Sequence, residues 1–293
     1  MNKPINTVGV LGATSFVGAC LIPLLIHAKY GVIALSRSKQ AAQQSVQWIS
    51  LPQDNVVLGS VSVDSVPLWI AVCPIVVVPQ YFELLERSGV RRLVVLSSTS
   101  RFTKTGSSSP LEQELAASLA RSEQLVEQWA KNRGVEWVVL RPTLIYGLGL
   151  DRNINEIARF IQRFGFFPTM GRAVGMRQPI HARDVAKACV SALASTACDR
   201  AYNISGAETL SYRSMVERVF GFLGRKPLFL PIPLFAFQIA IGCMRVFPRF
   251  AKWTPAMAQR MNQDLVFDHS DASRDLGFKP RQFLFDPNDI VKR

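Results

Sequence analysis

The run Thr7-Val-Gly-Val-Leu-Gly12-Ala-Thr-Ser15-Phe-Val-Gly18, near the start of the 293-residue chain, leaves few options for the fold built around it. Its β-branched and leucine residues up to Leu11 predict a strand, and the apolar residues at helical spacing from Phe16 onward predict a helix. The glycine turn between them then falls at a helix N-terminus. Backbone N–H groups and the positive end of the helix dipole can hold a pyrophosphate there. Gly12 serves the tight turn and Gly18 the close packing of helix on strand. Thr14, Ser15, Phe16 and Val17 complete the phosphate-side candidates, with Ser15 able to donate a hydroxyl hydrogen bond. Two glycines six apart signal little alone; their place after the first strand of a βαβ pattern gives them weight.

The end of the second strand selects the dinucleotide. A site for NAD(H) usually carries an acid there for the ribose hydroxyls, and one for NADP(H) a cation near the 2′-phosphate. Here Val32-Ile-Ala-Leu is followed by Ser36-Arg37-Ser38-Lys39, with no acid. Arg37 offers the forked donors that suit a phosphate. NADP(H) is therefore favoured, with NAD(H) as the alternative.

Strands are predicted at Val8–Leu11, Val32–Leu35, Val56–Leu58, Leu68–Val72, Leu93–Ser97 and Trp137–Leu140. Helices are predicted at Phe16–Ala28, Pro79–Ser88 and Leu111–Asn132. Their alternation argues for a doubly wound parallel α/β (Rossmann) sheet with right-handed crossovers. Beyond Arg141-Pro142 a helix at Asn153–Phe164 precedes a loop at Gly165–Gly175. The chain is then expected to return to the sheet through Gln178–His181, a helix at Ala182–Ala194 and a strand at Ala201–Ile204. This pattern divides the chain into a dinucleotide-binding domain of 1–143 and 176–205, and a smaller, mostly helical substrate lobe of 144–175 and 206–293.

Composition sets the outer bounds. An apolar fraction of 48% suits a sizeable core. Cys20, Cys73, Cys189, Cys198 and Cys243 are scattered and odd in number, which suggests neither a disulfide framework nor a metal site and fits a reducing cytoplasm. The start of the chain leaves no room for a signal peptide. The +13 charge comes without a basic block or an aromatic–basic ladder, which argues against nucleic acid and for a phosphorylated small molecule or an acidic membrane surface. The apolar stretch after Lys226 is broken by Pro231 and Pro233 and followed by Arg245, Arg249 and Lys252. It is too short to span a bilayer, so 227–252 reads as a buried helix or as a peripheral contact at the inner face of a membrane.

Several landmarks together resemble the extended or atypical short-chain dehydrogenase/reductase superfamily, in particular its NAD-dependent epimerase/dehydratase branch. Gly12-Ala-Thr-Ser-Phe-Val-Gly18 is similar to that family's G-A-T-G-F-I-G, with Ser15 in place of the middle glycine. Val94-Val-Leu-Ser-Ser98-Thr-Ser100 resembles the strand that carries its active-site Ser/Thr. Leu140-Arg-Pro-Thr-Leu-Ile-Tyr146-Gly147 resembles its R-P-x-x-x-Y-G crossing, and Arg177-Gln-Pro-Ile-His181-Ala-Arg-Asp184-Val-Ala its R-D-Y-I-H-x-x-D-V-A. Ala201-Tyr-Asn-Ile-Ser-Gly206 and Asp275-Leu-Gly-Phe-Lys-Pro280 match two later landmarks, in the family's order. The resemblance implies a diphosphate-binding role for Arg177 on a nucleotide sugar or similar anionic substrate, with Tyr146 and Asn153 beside it. Ser97 and Pro142 are further cofactor-side candidates.

The departure is the family's Y-x-x-x-K pair. No tyrosine here has a lysine four residues on, and Glu112–Glu123, on the helix after the serine strand, contains no tyrosine. A phenol must be brought toward neutrality to serve as a base, and neither the phenol nor its cation is in place. Substitute acid/base candidates are Ser98, Thr99, Tyr146 and Lys104, with Ser100 and Arg121 behind them. His181 with Asp184 looks like a dyad on paper, but at a helix start a structural role fits better. Two readings result. The favoured one is an NAD(P)-dependent oxidoreductase or epimerase. The alternative is a non-catalytic NADP(H)-binding subunit, like the atypical relatives that sit on respiratory complex I.

Overall fold

The computed structural model describes residues 7–43, 45–51, 63, 65–151, 153–232 and 260–290. Strands β1 (Thr7–Leu11), β2 (Gly31–Ser36), β3 (Val46–Ser50), β4 (Leu68–Ala71), β5 (Arg92–Leu96), β6 (Glu136–Pro142) and, after an excursion, β11 (Arg200–Ile204) form one sheet. Its order is β11-β6-β5-β4-β1-β2-β3, and every neighbouring pair is parallel. The doubly wound sheet expected from the sequence is the one observed. Strand order reverses beside β1, where it pairs with β2 on one side and β4 on the other. Such a reversal opens a crevice at the carboxyl ends of the strands.

The sheet is covered on both faces, which is why β5, Arg-Leu-Val-Val-Leu, is buried at all five positions. Val8 and Val10 pack with helices α1 (Phe16–His27) and α6 (Ala182–Ala194). Leu11, Trp69 and Leu93 pack on the opposite face with α2 (Phe82–Arg87) and α4 (Pro110–Arg133). Short α3 (Ser100–Thr103) leads from β5 toward α4.

A second core lies outside the sheet. It joins Tyr146 to α5 (Ile154–Phe164), Phe167, α7 (Tyr212–Phe222), Phe283 and Ile290. The Gly165–Gly175 segment is not all loop: β8 (Phe167–Met170) pairs in parallel with β13 (Phe229–Ile232). Nor does Gln178–His181 rejoin the main sheet. Its residues Ile180–His181 (β10) pair with Ile145–Tyr146 (β7), while Met176–Arg177 (β9) pair with Leu210–Ser211 (β12). Helix α8 (Ser270–Leu276) packs Ala272 and Leu276 into the first core.

The strand expected at Val56–Leu58 and most of the 227–252 stretch lie outside the described residues. No helix among the described residues is long and apolar enough to cross a membrane.

Candidate functional site

The turn after β1 is built as its residue types require. Gly12 has φ +78°, and a Cβ there would lie 2.5 Å from the Cys73 backbone nitrogen at the end of β4. A Cβ on Gly18 would lie 2.3 Å from the Ala13 carbonyl oxygen. Both positions exclude any larger residue without backbone movement. Ser15 is the N-cap of α1: its hydroxyl accepts from the Gly18 N–H at 3.0 Å and donates to the Val72 carbonyl at 3.4 Å. The first N–H groups of a helix have no partner within it, so those of Phe16 and Val17 are open to an anion.

A cleft of about 910 Å³ opens where the strand order reverses. Ser15, Phe16 and Val17 line it from α1, Cys73 from the end of β4, and Ser97, Ser98 and Thr99 from the end of β5. Pro142 borders it from β6, and Lys104, Asn153 and Arg177 from farther out. Burial pushes the Cys73 thiol up to about 11, which keeps it a thiol rather than a nucleophilic thiolate. Gly12, Thr14 and Gly18 belong to the turn but do not line the cleft. Arg37 follows β2 directly; it is exposed and makes no hydrogen bond or ion pair among the described residues. Its loop is organised by Ser36, whose hydroxyl donates to the Ser38 carbonyl at 2.8 Å and accepts from the Ser38 N–H at 3.1 Å.

The candidates at the end of β5 differ in freedom. Ser97 donates to the Glu123 carboxylate at 2.5 Å, and Thr99 donates to the Pro142 carbonyl at 3.2 Å. Ser98 accepts from the Ser100 N–H at 3.1 Å, which leaves its own proton available to donate. Lys104 is 3.8 Å from Glu112, and burial lowers its pKa.

Glu123, only 5% exposed, also takes hydrogen bonds from Arg101 and Arg141. Both guanidinium groups lie over the Phe102 ring, at 5.0 and 5.3 Å. This cluster ties α3, α4 and β6 together beneath the serine run. From α4 the residue that reaches the cleft is Leu119, an apolar side chain where the resemblance puts an acid/base pair on that helix.

Arg177 is 4% exposed, and among the described residues no carboxylate bonds it; Asp264 acts on it only through its charge. Its guanidinium donates to the carbonyls of Met176 at 2.8 Å, Gln263 at 2.7 Å and Arg260, and sits 5.4 Å over the Tyr212 ring. Desolvation lowers its pKa to about 10. A buried cation with only neutral acceptors is costly unless a ligand supplies the negative charge.

Two candidates do not meet the cleft as expected. Tyr146 is fully buried and does not line it; its hydroxyl donates to the Leu284 carbonyl at 3.0 Å, and its ring packs edge-on against His181 and Phe283. Burial pushes its phenol far above the ordinary value. His181 pairs not with Asp184 but with Asp289, at 3.0 Å. Its Nδ1 accepts from the Arg183 N–H, capping α6, so Nε2 carries the proton that Asp289 receives. Asp184 instead accepts from the Arg281 backbone and side chain. Glu112, Glu123, Arg260 and Asp289 were not foreseen: each meets partners far away in sequence, and no local spacing marks them.

Residues 75–205 match the model of the NAD dependent epimerase/dehydratase family. The family resemblance read from the sequence is thus borne out over that segment. Among curated proteins, the chain is 24% identical over 208 residues to a UDP-glucose 4-epimerase of Vibrio cholerae, covering 67% of this chain and 61% of that one. It is 25% identical over 117 residues to the Arabidopsis thaliana mitochondrial NADH dehydrogenase [ubiquinone] 1 alpha subcomplex subunit 9, covering 39% and 29%. The chain therefore spans less than two thirds of these relatives' lengths. Among solved structures, a UDP-glucose 4-epimerase from Thermotoga maritima superposes with TM-score 0.69 at 15% identity, over 94% of this chain and 93% of that one. A UDP-glucuronic acid 4-epimerase from Bacillus cereus in complex with NAD gives 0.67 at 17%, over 97% and 95%. At these identities the likeness is one of fold.

Proposed function

We propose that this chain is an NAD(P)-dependent epimerase/dehydratase-family oxidoreductase or epimerase that holds NADP(H) and acts on a nucleotide-linked sugar or similar anionic substrate. The observation that carries the reading is Arg177, a buried guanidinium that no carboxylate bonds among the described residues, on the wall of a cleft that also receives the N-terminus of α1. The residues fit a dinucleotide: Gly12 and Gly18 leave no room for a Cβ, which keeps the turn tight, and Phe16 and Val17 present open N–H groups at the positive end of a helix. Arg37 is the residue for a 2′-phosphate. When bound, the dinucleotide supplies the two-electron redox chemistry, and the protein supplies orientation and electrostatics. Ser98, with its free proton, is the cleft-side group that holds or moves a proton; Asn153 borders the substrate end.

A second reading has three observations in its favour. Leu119 is what α4 offers the cleft, and burial removes Tyr146 from acid/base work. A non-catalytic NADP(H)-binding subunit needs neither group, and one curated relative is named as a respiratory-complex subunit.

Mass spectrometry of nucleotides that co-purify with the protein, followed by turnover assays on nucleotide sugars, separates the two. NADP(H)-dependent turnover that Arg177→Ala abolishes supports the enzyme. NADPH that is tightly held yet never oxidised across the panel leaves the subunit reading standing.

A further inference from the structure

Lys104 and Arg260 both line the cleft, and both are tied to one carboxylate behind them. Lys104 follows α3 on the sheet side; Arg260 belongs to the second lobe and lends its carbonyl to Arg177. Glu112, at the start of α4, pairs with Arg260 and lies 3.8 Å from Lys104, and Ser107 donates to it at 2.6 Å. Glu112 does not reach the cleft itself. Lys104, Arg260 and Glu112 together carry one net positive charge beside the cleft, whose lining also includes Arg177 and the buried Asp151, held by the N–H groups of Asn153, Ile154 and Asn155.

The side chains of Lys104, Arg260 and Glu112 are 21%, 17% and 14% exposed, so solvent screens this surplus only partly. Lys104 ends the short helix that begins at Ser100, so it stands one helical turn from the serine run. Ser98, Lys104, Arg177 and Arg260 line one cleft, so a single ligand can meet all four.

We infer that Lys104 and Arg260, braced by Glu112, form a second anion subsite in this cleft, which takes a carboxylate on the sugar portion of the substrate. This rests on the nucleotide-sugar reading and narrows it: the sugar is a uronic acid type rather than a neutral hexose. Arg177 is left to the diphosphate. Glu112 is a positioning residue that keeps both cations at the wall.

The test is calorimetric binding of UDP-glucose, UDP-glucuronate and UDP to the full chain and to its Lys104→Gln and Arg260→Gln forms, with thermal melts to check folding. UDP-glucuronate should bind about tenfold or more tightly than UDP-glucose, the gain expected of one charge-assisted contact. Each variant should erase that preference while changing UDP-glucose affinity by less than about threefold, a shift under ~0.7 kcal/mol. Lys104→Gln is the cleaner arm, because its link to Glu112 is the longer one. No preference in the unmodified protein, or an equal loss for both sugars, overturns the subsite while UDP binding keeps the nucleotide-sugar reading alive. If UDP and both sugars fail to bind while NADPH is held, the nucleotide-sugar reading falls, and the subsite with it.

Discussion

Replacing Arg37 by alanine isolates cofactor choice from everything else the protein does. The side chain is exposed and makes no hydrogen bond or ion pair among the described residues, so its removal takes little from the fold. Surface changes of that kind cost at most about 0.5 kcal/mol, a melting shift of roughly 2 °C or less for a chain this long. The effect should appear in binding alone. Arg37 is also close enough to the cleft for its charge to act on Cys73: burial raises that thiol and the guanidinium pulls the other way. A guanidinium on a 2′-phosphate contributes on the order of 1.5–3 kcal/mol as a charge-assisted hydrogen bond. Arg37→Ala should therefore weaken NADPH by about 10- to 100-fold. NADH, which lacks the phosphate, should change by less than about threefold by the same arithmetic. Fluorescence titration with both cofactors measures this, and raising salt should shrink the unmodified protein's preference, because exposed charges are screened. An equal loss for both cofactors, or an unmodified protein that prefers NADH, would refute the assignment.

Gly18→Ala places a methyl 2.3 Å from the Ala13 carbonyl oxygen and 2.8 Å from that of Gly12, both immobile backbone. It should destabilise the fold by about 1–3 kcal/mol and weaken both dinucleotides together, as read by melts and titration. Glu123→Ala strands Arg101, Arg141 and the Ser97 hydroxyl, so urea unfolding should show a loss of about 3 kcal/mol; a loss under ~1 kcal/mol would mean the cluster braces nothing. Asp289 offers a pH test. Burial works against its ionisation, but hydrogen bonds from His181, Leu148 and Asp286 win and hold its pKa below the ordinary 3.8. Stability from such a carboxylate is complete above the unfolded value and is lost as pH falls through the folded one. Melting temperature should thus drop more steeply below pH ~4 in the unmodified protein than in Asp289→Asn, and parallel curves would exclude this role.

Where structure depends on neighbours in sequence, the chain was readable. The glycine turn, α1, α4 and α6 and the buried strands β1, β2, β4, β5 and β6 all carry their signal in a few adjacent residues. Strand β3 does not: Val46-Gln-Trp-Ile-Ser mixes polar and apolar residues, and among the described residues it stands at the sheet edge with a strand on one side only. Likewise β8 is only four residues long, Phe-Pro-Thr-Met, and its strand character comes from pairing with β13, about 60 residues away in sequence. The site divides the same way. The part of the cleft lined by the start of α1 and the ends of β4 and β5 lies where runs of adjacent residues placed it. The ionic groups behind it join Arg101 to Glu123, Glu112 to Arg260 and His181 to Asp289, and pairings at that range leave no local mark. Tyr146 shows the opposite failure: a motif position marked it, and the packing of a lobe core claimed it.

The clasp at Asp289 bears on how the polypeptide matures as it emerges from a ribosome. Its carboxylate and carbonyl satisfy His181, the Leu148 N–H and the Asn155 amide, and nearby Leu284 receives the Tyr146 hydroxyl. All of those groups are synthesised more than a hundred residues earlier. The sheet and the helices that cover it, α6 and α8 included, are synthesised before Asp289, while the polar groups at His181, Leu148 and Asn155 must wait for this late segment. A nascent chain stalled before Asp289 should present a protease-resistant sheet carrying a lobe that is readily cut.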